Sequence, residues 1–249
     1  MPRLPVLILL LPLSASAAAP LKLGLGDVIS APHVIDRAER PRHPGGRVVE
    51  LADAALRQCG QRAEYRRYPG RRLLQNLALG QIDGALMLSY KPERARDMAF
   101  PLRAGQPDPS RRLATFNYVF YIRQDSPLRW DGLRLRGLRG PVGSNTGWSI
   151  NDALRQQGIA VETGNGLADG FAKLMAKRIA AYALHAEAAQ YFLTEHPEFK
   201  VRQLQPPIET RAYYWVFSHA FAERHPQTAA CLWRQLPALR SRLIPGERD

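Results

Sequence analysis

The sequence predicts an open α/β sheet organised as two similar lobes, and three observations carry that expectation. Strand-like and short helical segments alternate from Leu21 to Leu88, a pattern that argues for an open α/β sheet rather than a sandwich or a bundle. The unit then recurs. Leu77-Ala-Leu-Gly-Gln-Ile-Asp-Gly-Ala85 and Leu174-Met-Ala-Lys-Arg-Ile-Ala-Ala-Tyr182 share a layout of helix end, polar turn and buried strand start. Between and after these units lie two aromatic-rich strands, Thr115-Phe-Asn-Tyr-Val-Phe-Tyr-Ile122 and Tyr213-Tyr-Trp-Val-Phe217.

The elements follow in order. Leu21-Lys-Leu-Gly-Leu-Gly26 alternates and ends in glycine, as a first strand does. A Pro-, His- and Arg-rich loop runs from Asp27 to Pro44. Apolar residues at 48, 51, 55 and 56 then recur at helical spacing over Arg47 to Arg57, and Gly60 ends that helix. Ala63-Glu-Tyr-Arg-Arg-Tyr68 is a second strand broken by Pro69-Gly70; a helix over Arg71 to Leu79 and a strand over Ile82 to Leu88 complete the unit. Near the other end, the apolar residues from Ala220 to Leu239 predict one helix packing back on the first lobe, with His225-Pro226 near its start, where proline is tolerated.

Residues 1–17 have the form of a secretory signal peptide: an early Arg3, an apolar run from Leu4 to Leu13 too short to span a bilayer, and an Ala-x-Ala site. The expectation is an exported, soluble periplasmic protein, with no cysteine near the cleavage site to carry a lipid. The chain has 249 residues and a formal charge of +13, and thirty of its 35 basic residues are arginine. Such charge can mark a nucleic-acid partner, but export and the scatter of the arginines point instead to a solvated, weakly anion-attracting surface. Cys59 and Cys231 are the only cysteines. In an oxidising compartment they form either one disulfide, joining the first helix to the C-terminal helix, or two buried free thiols. No metal site is expected, because the six histidines are dispersed and no His-x-x-x-His or Cys-x-x-Cys spacing occurs. No phosphate-binding loop of the Gly-x-x-x-x-Gly-Lys-Ser/Thr type is present either, so the chain is not expected to be an ATPase itself, and no cofactor is expected.

The most informative segment is Gly80-Gln-Ile-Asp-Gly-Ala-Leu-Met-Leu-Ser89-Tyr-Lys-Pro-Glu-Arg94-Ala-Arg-Asp-Met-Ala-Phe100. It reads as a helix end, a buried strand and a Ser-x-x-x-x-Arg turn. In residue type and spacing it resembles the signature of the periplasmic solute-binding proteins of the polar amino-acid type (extracellular solute-binding family 3, type II periplasmic-binding fold). The resemblance implies two lobes joined by two crossover hinge strands, residues 18–118 plus 210–249 forming the first lobe and 119–209 the second. It also implies that Arg94 grips a ligand carboxylate, for which a planar guanidinium fork is well matched, with Ser89 beside it and Tyr90 and Lys91 at the rim.

The same resemblance extends to other positions. In Asp27-Val-Ile-Ser-Ala-Pro-His33, Ser30 takes the place of an aromatic that stacks on the ligand, and His33 follows the proline. Gly140-Pro-Val-Gly-Ser-Asn-Thr-Gly-Trp-Ser-Ile-Asn151 reads as a strand end, a small-residue loop and a helix start. Gly147, Trp148 and Ser149 match the second carboxylate contact, at a helix N-terminus suited to anions; ordinary capping by Thr146 or Ser149 uses the same geometry. The chain departs from the family at His185, where the resemblance implies an aspartate pairing with an α-ammonium. An imidazole does not replace a carboxylate there, so the expected ligand is a small polar metabolite or an anion, carboxylate-bearing and without an amino group.

The function expected is non-enzymatic: a monomer that closes on a small ligand by hinge motion and presents it to the membrane permease of an ABC transporter. Two alternatives stand beside it. One is a sensory or accessory protein that reports its ligand state to a receptor or a partner dehydrogenase. The other is a dehydratase on the same fold, using His185, Glu187 and Arg94.

Overall fold

The structure is a computed structural model that describes residues 19–27, 31–36 and 43–244. The expected leader (residues 1–17) and Ser30 lie outside the described residues. The first unit is β1 (Leu21–Gly26), α1 (Arg47–Gln58), β2 (Ala63–Tyr68), α2 (Gly70–Ala78) and β3 (Gly84–Ser89). Then come α3 (Pro92–Asp97), β4 (Met98–Ala99), a hairpin of β5 (Leu102–Arg103) and β6 (Gln106–Pro107), and the long strand β7 (Arg112–Arg123). A second hairpin, β8 (Arg129–Trp130) and β9 (Leu135–Arg136), precedes the second unit. That unit is β10 (Val142–Asn145), α4 (Ile150–Gln156), β11 (Val161–Gly164), α5 (Leu167–Met175) and β12 (Ala181–His185). The chain returns through α6 (Ala186–Glu195), β13 (Val201–Gln203) and β14 (Glu209–Ser218), and ends in α7 (His219–Arg224) and α8 (Pro226–Leu243).

Ten strands form one sheet in the order β11-β10-β12-β7-β14-β3-β1-β2, with β13 beside β7 and β4 beside β14. At one end β2, β1 and β3 run parallel, and at the other β11, β10 and β12 do the same. The antiparallel pair β7 and β14 stands between them. The short internal echo in the sequence therefore marks equivalent places: the turn before β3 in one half and the turn before β12 in the other.

Each half is covered by its own helices. Helix α1 turns Val48, Leu51, Ala52 and Ala55 inward, buried with Leu23, Leu25 and the inner residues of α8. Each fully buried aliphatic side chain contributes roughly 1.5–3 kcal/mol of transfer energy. In the other half Phe171, Leu174, Tyr182 and Leu184 centre a separate cluster. A disulfide joins Cys59, at the C-cap of α1, to Cys231 in α8, so of the two states open from the sequence the bonded one is present.

The C-terminal segment differs from the single helix expected. It is two helices, α7 and α8, separated at His225 (φ −132°, ψ 52°). Pro226 has no N–H to continue α7 and disfavours helical geometry in the residue before it, so it starts α8 rather than extending a helix already begun.

Candidate functional site

The carboxyl ends of β1, β3, β10 and β12 converge on one cleft between the two halves, the place where an open α/β sheet leaves room for a ligand. The pocket there has a volume of about 90 Å³ and is lined from both halves. That is several times the roughly 10–15 Å³ that a single water needs. Sheet register builds its floor. Tyr118 of β7 lies opposite His185 of β12, and Tyr213 of β14 lies opposite Ser89 of β3. The two phenols meet between them at 2.7 Å, and the Tyr213 hydroxyl is 2.9 Å from His185 Nε2.

Arg94 comes from the first turn of α3, which Pro92 starts directly after the end of β3. Its Nη1 donates to the Ser89 carbonyl and to Ser89 Oγ, both at 2.9 Å. Its Nη2 donates across the cleft to the Gly147 carbonyl at 3.3 Å. No carboxylate forms an ion pair with Arg94 among the described residues. Burial lowers its pKa, which the neighbouring Tyr213 and Tyr118 partly offset. A partly buried guanidinium whose acceptors are only carbonyls and a hydroxyl is set up to receive an anion.

Opposite Arg94, the His185 ring is stacked on Trp148 (4.4 Å between centroids, 16° between planes) and flanked by Tyr118 and Phe116 at 4.4 and 4.7 Å. Burial, with His33 as a second cause, pushes His185 down to about 3, so the imidazole is neutral near pH 7. Burial also pushes Tyr213 up to about 12 and Tyr118 well above its ordinary value. The floor is therefore a neutral, hydrogen-bonded aromatic surface.

The halves touch across the cleft mouth. Gly147 (φ +78°) brings its loop onto the start of α2, so close that a Cβ on Gly70 would sit 3.0 Å from the Thr146 carbonyl oxygen. Gly147 supplies a left-handed backbone that other residues rarely adopt, and Gly70 supplies the close approach. Beside it, Lys91 ion-pairs with Asp152 of α4. Met87 in β3 also has a positive φ, 68°. It lies where the pairing of β3 with β14 shifts register, and that bulge turns the end of β3 toward the pocket.

Of the residues singled out from the sequence, Ser89, Arg94, Gly147, Trp148, Ser149 and His185 all line this pocket. His33 and Tyr90 do not. His33 is buried edge-on against Phe116, and Tyr90 packs against Phe100. The helix-capping role considered for Thr146 and Ser149 is absent: the Thr146 hydroxyl donates to the Gly164 carbonyl, and Ser149 makes no side-chain cap bond to α4. Glu187, named with His185 in the dehydratase alternative, sits in the first turn of α6 and not in the pocket lining. Three polar lining residues were missed, Asp27, Tyr118 and Tyr213, along with the apolar wall. Asp27 follows the last residue of the first strand, a position that itself marks a crevice in this architecture. The tyrosines lay within recognised strands, but their meeting depends on pairing between segments about 95 residues apart. Among the described residues, no group of three or more His, Cys, Asp or Glu side chains is placed to hold a metal ion, and no helix is long and apolar enough to cross a membrane.

Solved structures with this arrangement of strands and helices are numerous. A histidine kinase sensor domain with similarity to periplasmic binding proteins superposes with a TM-score of 0.74 at 19% identity, over 92% of this chain and 97% of its own. This is a two-lobed periplasmic-binding-protein-like fold. The arginine-, lysine-, histidine-binding protein ArtJ of Geobacillus stearothermophilus shares the binding-protein fold with a TM-score of 0.72 at 15% identity, over 93% of this chain and 97% of its own. So does the GluR0 ligand-binding core of Nostoc punctiforme in complex with L-glutamate, with a TM-score of 0.68 at 15% identity over 90% and 99%. No family model matches the sequence, and no curated protein matches it.

Proposed function

We propose that the protein is a periplasmic solute-binding protein that captures a small carboxylate-bearing ligand between its two lobes. The observation that carries this reading is Arg94: a partly buried guanidinium at a cleft of about 90 Å³, held by Ser89 and Gly147 and without a carboxylate partner among the described residues. The ligand's carboxylate takes the remaining donors, and Ser89, Trp148 and Ser149 surround it. The lobes are residues 18–118 plus 210–249 and residues 119–209, with β7 and β14 as the hinge. Closure brings Gly147 to Arg94 and Asp152 to Lys91, and the closed face is what a membrane partner reads.

Two kinds of partner fit. A permease is one and a receptor is the other, since structures of both kinds, a histidine kinase sensor domain and an ABC transporter's substrate binding protein, share this fold. A catalytic role is disfavoured by His185, since a buried imidazole whose pKa is held near 3 is a poor general base at neutral pH. The test is calorimetric titration of the protein with a panel of carboxylates, recovering each ligand afterwards. The reading expects binding that falls about 10- to 100-fold in Arg94→Ala, the loss of a charge-assisted pair, with the ligand chemically unchanged. Binding that survives Arg94→Ala, or turnover of the ligand, overturns it.

A further inference from the structure

Charges are sparse in the described lining of the pocket itself, and their placement says what kind of body the carboxylate carries, although Arg71, Lys91, Glu93, Asp152 and Arg155 line the opening beside it. Among the described residues, Arg94 is the only Lys or Arg in the pocket's lining and Asp27 the only carboxylate. Asp27 is exposed at the end of β1, whereas the opposite wall presents Tyr118, Tyr213, His185 and Trp148, none of which carries a charge near pH 7. The lining from the β1–β3 half includes Leu25, Val34, Leu73, Leu74 and Met87. An ammonium group buried beside these surfaces would lose its water and find no counter-charge among the described lining residues. One placed at Asp27 would remain solvated, where an ion pair contributes little.

We infer that the preferred ligand is a monocarboxylate with an uncharged, apolar body, and that a 2-amino group weakens rather than strengthens its binding. This inference rests on the solute-binding reading, and sets the chain apart from structural neighbours crystallised with L-glutamate or described as binding arginine, lysine and histidine. In that arrangement Arg94 holds the carboxylate, the aliphatic side chains and the Trp148 indole enclose the body, and His185 supplies a neutral wall in place of an anionic one.

The experiment compares ligands that differ in one group, using the unmodified protein at pH 7.5: 4-methylpentanoate against leucine, 3-phenylpropanoate against phenylalanine, and succinate as a dicarboxylate. Titration calorimetry is expected to give tighter binding of each desamino acid than of its amino acid by about tenfold, the effect of burying an unpaired polar group, with succinate weaker still. An amino acid that binds more tightly than its desamino partner, its advantage removed in Asp27→Asn, overturns the inference while leaving the solute-binding reading intact. Tighter binding of succinate does the same. Failure of every carboxylate to bind a folded protein removes the solute-binding reading itself, and this inference with it.

Discussion

Removing the Cys59–Cys231 disulfide tests how the C-terminal helix is held, and its effect can be worked from the chain. The bond spans 172 residues of sequence. In the chain-entropy description, opening a loop of that length frees the unfolded state by about 5 kcal/mol at 25 °C. Compact unfolded ensembles reduce this, so the double variant Cys59→Ser/Cys231→Ser is expected to lose about 3–5 kcal/mol. Against a typical total of about 5–15 kcal/mol, that is a large share. For a chain of this size it corresponds to a fall in melting temperature of about 6–20 °C. Urea denaturation followed by tryptophan fluorescence is the assay. The m-value should also rise, because an uncrosslinked chain exposes more surface when it unfolds. Free thiols in the air-oxidised wild type would refute the reasoning, as would a double variant within about 1 kcal/mol of wild type.

Other perturbations reach the cleft. His185 is neutral in the fold and titrates near 3, but has an ordinary pKa near 6.5 when unfolded. The unfolded state therefore takes up the proton first as the pH falls, and its contribution to stability is full above about pH 6.5 and declines toward pH 3. The loss between pH 7 and pH 5 is about 2 kcal/mol, and His185→Gln should flatten that limb in melting temperature against pH. Gly147→Ala forces a Cβ onto a residue with φ +78° and is expected to cost about 1 kcal/mol or more in thermal unfolding. Lys91 and Asp152 form a partly exposed pair across the cleft. Asp152→Asn is expected to raise the ligand dissociation rate by up to about fivefold in stopped-flow measurements, with little effect on stability.

Much of this architecture was legible because it is written in local patterns. Ala63 to Tyr68 alternates and is bounded by Gly60 and Pro69-Gly70, and β2 occupies those residues. The Ser89-to-Arg94 turn was readable because strand end, Pro92 and arginine fall within six residues, so their geometry is set by the chain itself. The pocket floor was not readable in this way. Tyr118, Tyr213 and His185 come from three strands, and only the antiparallel register of β7 with its neighbours brings them together. His33 shows the opposite limit: its place after Pro32 suggested the cleft, but its ring is turned inward onto Phe116, so an apolar neighbour distant in sequence decided its role. The break at His225 was hidden by apolar spacing that continues through it, although Pro226 was in plain view.

The strand order has a consequence for how the protein is made. The β10–β11–β12 half is one uninterrupted stretch of chain, whereas the β1–β2–β3 half is completed by β14 and by α8, which packs on α1. During synthesis from the N-terminus, the half begun first is thus the last to close. Its apolar α1 face stays uncovered until α8 arrives, while the half begun later already has all its parts. Helix α8 seals a part of the molecule made long before it, and the Cys59–Cys231 bond makes that closure covalent. Truncation near the C-terminus should therefore unfold the lobe that contains the N-terminus.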